Sequence, residues 1–304
     1  MRISDTDMAG LLTKTEHPTA PAKPKTQRPR QQRCGREVAR ANELKCVKTV
    51  AHYGHVRVAE LARAVWPTAR YGEQVCRRVV RRLVQHGLLL ERRNPLGSKS
   101  LCLTRPGAAW LELRGIPAQQ TLELSSVSGP TFFHRTMATR YLVERQVTGS
   151  QVAGEYLILR RKLPFSIDGL AKALQKLPDG LVWQRRGPGV EGAGTVAVEF
   201  VEQEAAMKAR TEIEKCLRTA EFVGTSLSAD GAYRLAGVVF VYDRSLSHAR
   251  RLLLAANSLW GGRPTAERVT LEKRVKLVAV ELRDPLVWVS SSVTTLHELR
   301  ARGV

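Results

Sequence analysis

The stretch that most limits what this chain can fold into is Glu73 to His86, which reads EQVCRRVVRRLVQH. Apolar and polar residues alternate there in pairs: Val75-Cys76, Val79-Val80 and Leu83-Val84 against Gln74, Arg77-Arg78, Arg81-Arg82 and Gln85. At about 100° per residue this pattern splits a helix into an aliphatic half and a half made almost wholly of arginine and glutamine. The aliphatic half needs a core to cover it. The other half carries side chains that reach guanine and adenine edges in a major groove. A solvated or RNA-binding helix would carry the same face, so the flanking sequence has to decide.

From about Glu37, Val38, Ala41, Leu44, Val47 and Val50-Ala51 recur at spacings of three and four, and Gly54 is placed to stop that helix. A short extended piece at Val56 leads into a helix through Leu61 and Val65, broken at Pro67. Thr68 to Gly72 then turns into the arginine helix. LLLERR and SLCLT flank the polar turn NPLGSK as the strands of a hairpin do, and Leu103-Thr104-Arg105-Pro106-Gly107 opens a further helix, AAWLELRG. Helix, short strand, helix, turn, helix and basic hairpin is the order of a winged helix-turn-helix. Arg81, Leu83, Gly87, Leu88 and Leu89, followed by Leu103, Thr104 and Gly107, also resemble the R-x-L-x-x-x-G-L-L and L-T-x-x-G phrases of many bacterial winged-helix regulators. The resemblance implies that Tyr71, Gln74, Arg77, Arg78, Arg81 and Arg82 face the groove, with Arg92, Arg93 and Lys99 on phosphates. A winged helix can also bind protein, and the sequence leaves that reading open.

Composition agrees with a polyanionic partner. The net charge is +21, while a hydrophobic fraction of 43% supplies real cores. Residues 1–36 are expected to be a basic, disordered tail, because Pro, Lys, Arg and Gln dominate TKTEHPTAPAKPKTQRPRQQRCGR. The opening residues are short, polar and acidic rather than a secretory leader, and no run of about 18 apolar residues is present. The five cysteines (Cys34, Cys46, Cys76, Cys102 and Cys216) have no C-x-x-C spacing, which argues against a disulfide framework or a zinc site. The expected location is the cytoplasm, with no membrane partner.

The winged helix-turn-helix is expected over residues 37–114, a linker over 115–130, a mixed-sheet α/β domain over 131–290 and a C-terminal tail over 291–304. After Pro130 comes a helix, then an extended stretch from Tyr156 to Leu163 and strands at PDGLVWQRR and TVAVEFVE. A long helix from Gln203 to about Val223, a strand from Leu235 to Tyr242, a helix from Ser247 to Trp260 and a strand from Val275 to Leu282 follow. GVVFVY and KLVAVEL are continuous apolar runs, as in strands buried on both faces.

Two carboxylates stand out. Asp179 follows Pro178 at a strand start, and Glu199 sits among Val196, Ala197 and Val198. Acids on neighbouring strands can hold Mg²⁺ or Mn²⁺ for phosphodiester hydrolysis, with a lysine completing the site. Taken alone, Asp179 reads better as a plain Pro-Asp-Gly turn residue, and a strand acid paired with arginine explains Glu199 equally well. This half resembles the PD-(D/E)XK nuclease-like fold. The whole chain, with His134, Pro178-Asp179 and the V-E-F strand, resembles the replication-relaxation family of bacterial plasmids and integrative elements. That family commonly reads E-x-D where Glu199 is followed here by Phe200 and Val201, and the nuclease lysine would fall at Val201. Lys208 and Lys215 on the following helix could substitute, though ordinary surface pairing accounts for both.

The expected function is duplex-DNA binding, by a homodimer, in replication, mobilisation or transcriptional control of a mobile element, without a cofactor. One alternative is a metal-dependent nuclease using Asp179, Glu199 and Lys215 with Mg²⁺ or Mn²⁺. Another is an architectural subunit of a DNA-transfer complex beside replication or mobilisation proteins.

Overall fold

The computed structural model describes residues 35–95, 97–120, 129–185, 194–204, 209–244, 248–283 and 287–303. The first part is α1 (Gly35–Tyr53), β1 (His55–Arg57), α2 (Val58–Val65), α3 (Gly72–Gln85), β2 (Leu89–Arg93), β3 (Lys99–Leu103) and α4 (Arg105–Glu112). The aliphatic half of α3 is covered: Cys76, Val79, Val80 and Leu83 pack with Cys46, Val47 and Val50 of α1, Leu89 and Leu101 of the hairpin and Leu111 of α4. Strand β3 lies between β1 and β2, antiparallel to both.

Local chemistry explains the boundaries. Gly87, at φ +68, ends α3 in the left-handed region. Its N–H donates to the Val84 carbonyl at 3.0 Å, and the Leu88 N–H donates to the Leu83 carbonyl at 2.9 Å, the paired bonds of a Schellman stop. Thr104 caps α4 by accepting from the Gly107 N–H at 2.9 Å, while its hydroxyl donates to the Gly87 carbonyl at 2.6 Å. A Cβ on Gly107 would stand 2.1 Å from the Leu88 carbonyl oxygen, so only glycine lets α4 cross there. The Leu-Thr-x-x-Gly phrase is thus a packing requirement where α4 rests on the end of α3. In the hairpin turn, buried Asn94 donates to Ser98 Oγ at 2.7 Å and Ser100 Oγ at 3.2 Å and accepts from the Ser98 N–H at 3.2 Å.

The second part runs α5 (Gly129–Val147), β4 (Gln151–Gly154), α6 (Glu155–Leu159), α7 (Asp168–Leu174), β5 (Gly180–Arg185), β6 (Val196–Glu204), α8 (Arg210–Arg218), a short 3-10 helix (Thr219–Phe222) and β7 (Tyr233–Asp243). It closes with α9 (His248–Trp260), α10 (Thr265–Lys273), β8 (Val275–Arg283), β9 (Val287–Thr295) and α11 (Leu296–Ala301). The strands form one mixed sheet in the order β4-β5-β6-β7-β8-β9; β7 is parallel to both neighbours and the other pairs are antiparallel. The two continuous apolar runs are β7 and β8. Val239 and Val241 of β7 point to the α5 side, and Val238 and Phe240 point to the side of α8 and α9.

Several expectations change. Tyr156 to Leu163 is not extended: α6 and a turn occupy it, and the strand is β4, just before. The helix expected from Gln203 begins only at Arg210, because β6 runs on to Glu204 with Glu202, Gln203 and Glu204 all buried. Three polar residues in a row read as a helix start, yet the sheet buries them. The expected tail from 291 is the end of β9 followed by α11. A Thr295–Glu298 capping box starts α11, and Arg300 reaches the fully buried Glu272 of α10 at 2.8 Å. Residues 1–34, the glycine-rich 186–193 and Lys208 lie outside the described residues.

The two expected domains share one core. It continues from α1 and α3 through Phe132, Leu142 and Val152 to Val182, Val201 and Val239 of the sheet. Polar contacts run along the same seam. Arg63 of α2 grips the Glu144 carboxylate of α5 with bonds of 2.7, 3.0 and 3.1 Å, and the Tyr53 hydroxyl donates to Gln146 Oε1 at 2.7 Å.

Gly107→Ala is expected to destabilise the protein by about 1–3 kcal/mol through overpacking, measured by urea unfolding; an unchanged midpoint would show that α4 does not press on Leu88 as described.

Candidate nucleic-acid interface

With its aliphatic side buried, α3 turns Gln74, Arg77, Arg78, Arg81, Arg82 and Gln85 outward, all exposed, and no described residue of the second half covers them. Two of the arginines are partly engaged. Arg77 pairs with Glu73 one turn back, and Arg82 reaches Glu43 of α1 at 3.4 Å. Gln74, Arg78, Arg81 and Gln85 lie on a stripe at spacings of four, three and four. No described residue bonds their side chains. Tyr71, 57% exposed, stands at the start of the helix with the Arg70 guanidinium 5.4 Å from its ring centre.

The hairpin adds a second cationic feature. In the β2–β3 register Arg92 is opposite Ser100 and Arg93 is opposite Lys99, so two exposed cations sit abreast at the end of the ladder. Like charges directly opposite one another on a sheet are destabilising. Lys99 relieves part of this by pairing with Glu91 at 2.8 Å.

The carboxylates are arranged differently from the expected metal site. Val182 is opposite Glu199, so Asp179, three residues earlier and bonded through its N–H to the Val201 carbonyl, is level with Glu202. At about 3.3 Å per residue, Asp179 and Glu199 are roughly 10 Å apart along the strands. Each also has partners of its own. Glu199 is paired with Lys276 of β8 and lies 3.9 Å from Arg145 of α5. Asp179 binds His134 Nε2 at 2.9 Å and accepts from the Gln203 N–H at 2.7 Å. Lys215 pairs with Glu212 at 2.8 Å on the surface of α8. These residues do not fit a shared metal. Among the described residues no group of three His, Cys, Asp or Glu side chains is placed to hold an ion.

The sequence reading missed the pair that does form beside Asp179. Lys176, in the turn before β5, pairs with buried Glu202 and donates to Cys216 Sγ at 2.7 Å. Burial alone would push the Lys176 ammonium down; Glu202 first, then Cys216 and Asp179, outweigh it and hold the group above the ordinary lysine value. The signal was the even-numbered side of β6: Glu202 shares a face with Val198 and Phe200, so a counter-cation had to come from a covering element. Tyr141 of α5 is buried, and desolvation raises its phenol above the ordinary value.

His134 and Asp179 open onto a cavity of about 240 Å³ between the end of α1 and α5, walled by Tyr53, Leu142 and Tyr156. His55 also lines it and His52 lies nearby; burial lowers each imidazole from 6.5 to about 4. No described helix is long and apolar enough to cross a membrane. No family model, curated protein or solved structure matches the chain.

Two outcomes follow from these pairs. Lys176→Ala should cost about 3–5 kcal/mol, since it strands Glu202 as an uncompensated buried charge, whereas Lys215→Ala should cost no more than about 0.5 kcal/mol; parallel denaturant titrations compare them. His52 and His55 are harder to protonate folded than unfolded, so the unfolded chain takes up protons first. Their effect is absent above about pH 6.5, and thermal stability should fall as the pH drops from 6.5 toward about 4. His52→Gln with His55→Gln should flatten that slope.

Proposed function

We propose that this chain is a sequence-reading duplex-DNA-binding protein whose first part is a winged helix-turn-helix, with α3 as recognition helix and the β2–β3 hairpin as wing. The observation that carries the reading is the stripe Gln74, Arg78, Arg81 and Gln85, exposed and without side-chain partners among the described residues. Arginine and glutamine are the residues that pair in a bidentate way with guanine and adenine edges. The abreast cations Arg93 and Lys99 add to it, because their repulsion is relieved when a phosphate lies between them. Net charge of +21 favours encounter with a polyanion over any sequence.

The sheet half acts in this reading as a platform and not as a nuclease, since Asp179 is bound to His134 and Glu199 and Glu202 are each paired with a lysine of the protein itself. Its likeness to the PD-(D/E)XK fold and to replication-relaxation proteins rests on order of elements and the short matches already given. It carries the proposal of a role in replication, mobilisation or transcriptional control of a mobile element. The protein acts as paired copies, as winged-helix proteins on repeated half-sites do.

Arg78→Ala and Arg81→Ala should each cost about 1–3 kcal/mol on the preferred site and relax its sequence preference. Lys99→Ala should weaken binding to all duplexes alike and flatten the dependence on salt. Footprinting and salt titrations on both kinds of variant test this; if the two behave alike, the assignment of helix and wing is wrong.

A further inference from the structure

We propose that β9 is the surface through which two copies of this chain join, edge to edge and antiparallel, so that each six-stranded sheet runs on into its partner's. The inference rests on the paired-copy part of the function above and not on the DNA target.

The two edges of the sheet are treated differently. Strand β4 is short, with Val152 and Ala153 buried, and α1 and α6 lie against it. Strand β9 is nine residues long, VWVSSSVTT, and pairs with β8 on one side alone. Apart from the Thr295 N–H, which donates to Glu298 of the α11 capping box at 2.9 Å, no described residue bonds the backbone groups on its other side. A bare edge is a template for another strand, and proteins that must stay apart guard it with charge, proline, shortness or a covering element. A quarter of this chain is charged, yet β9 holds no Lys, Arg, Asp, Glu or Pro. The irregularity in its pairing lies near its first end, between Trp288 and Ser290, and Ser290 to Thr295 keep a regular register. On the α5 side of the sheet, Val289 and Val293 are 45% and 67% exposed, with Ser291 between them.

Charge and symmetry favour a second copy as the occupant. Two molecules at +21 repel, so a contact between them has to sit where the surface carries no charge of its own. Strand β9 is such a place. It also matches itself: a two-fold axis through Ser291 sets Ser290 against Ser292 of the other copy and brings Val289, the extra residue of the irregularity, alongside Val293, with no like charges opposed. A foreign strand bearing charges would find none in β9 to answer them.

Sedimentation of the full chain without nucleic acid tests the proposal independently of DNA binding. The wild type should sediment as a dimer. Val289→Lys with Val293→Lys, and separately Val289→Glu with Val293→Glu, should each halve the sedimenting mass and leave the thermal melting curve of the fold in place. An equal mixture of the two should restore the dimer, because lysines then face glutamates across the axis. Ser291→Cys should give a covalent dimer on mild oxidation, the two sulfurs meeting on the axis. If both charged variants remain dimeric, copies pair elsewhere and β9 is not the interface. A monomeric wild type removes the paired-copy reading as well, while footprinting would still report on α3.

Discussion

One apolar seam holds the outward-facing chemistry in position: the aliphatic side of α3, the inner faces of α1 and the hairpin, helix α5 and one face of the sheet meet in it without a break. Helix α5 is its centre. Phe132, Met137, Tyr141, Leu142 and Val143 are all buried, so the helix is covered around much of its circumference. Each such side chain stabilises the fold by about 1.5–3 kcal/mol when removed from water. A helix gripped on two sides cannot slide on one layer without opening the other. The exposed stripe of α3 is therefore fixed relative to the six-stranded sheet, and the Arg63–Glu144 contact along the seam fixes it further.

The cations of this basic chain fall into two populations. Lys176, Lys276 and Arg300 lie against buried or half-buried carboxylates, where a lost partner would leave a charge in a poorly solvated place. Arg78 and Arg81 on α3 and Arg93 on the hairpin stand in water, and their field reaches outward. The first population explains why acids that resemble metal ligands in the sequence are structural here. Glu199 draws Lys276 and Arg145 onto the sheet, and Glu202 draws Lys176 across the end of β5.

The first part of the fold was nearly all legible in sequence, because its information is local. The paired alternation in Glu73 to His86, the stop at Gly87 and the cap at Thr104 each act within a few residues, and the elements follow the expected order. The sheet half was less legible. Short β4, α6 and α10 have too few residues to show a period, and β6 runs through Glu202-Gln203-Glu204 because tertiary partners compensate a segment whose composition favours a helix.

The sequence by itself determined the amphipathic arginine-faced helix, the basic hairpin, the continuous apolar strands β7 and β8 and the excess of positive charge, since periodicity and composition need no knowledge of distant neighbours. Only the tertiary structure decided which acid meets which base, that both halves share one core and that β9 closes the sheet with a bare edge. Strand register and cross-chain packing set those outcomes. A shift of one residue would exchange the sides of the sheet on which Glu199 and Glu202 stand, and nothing within either segment alone fixes that choice.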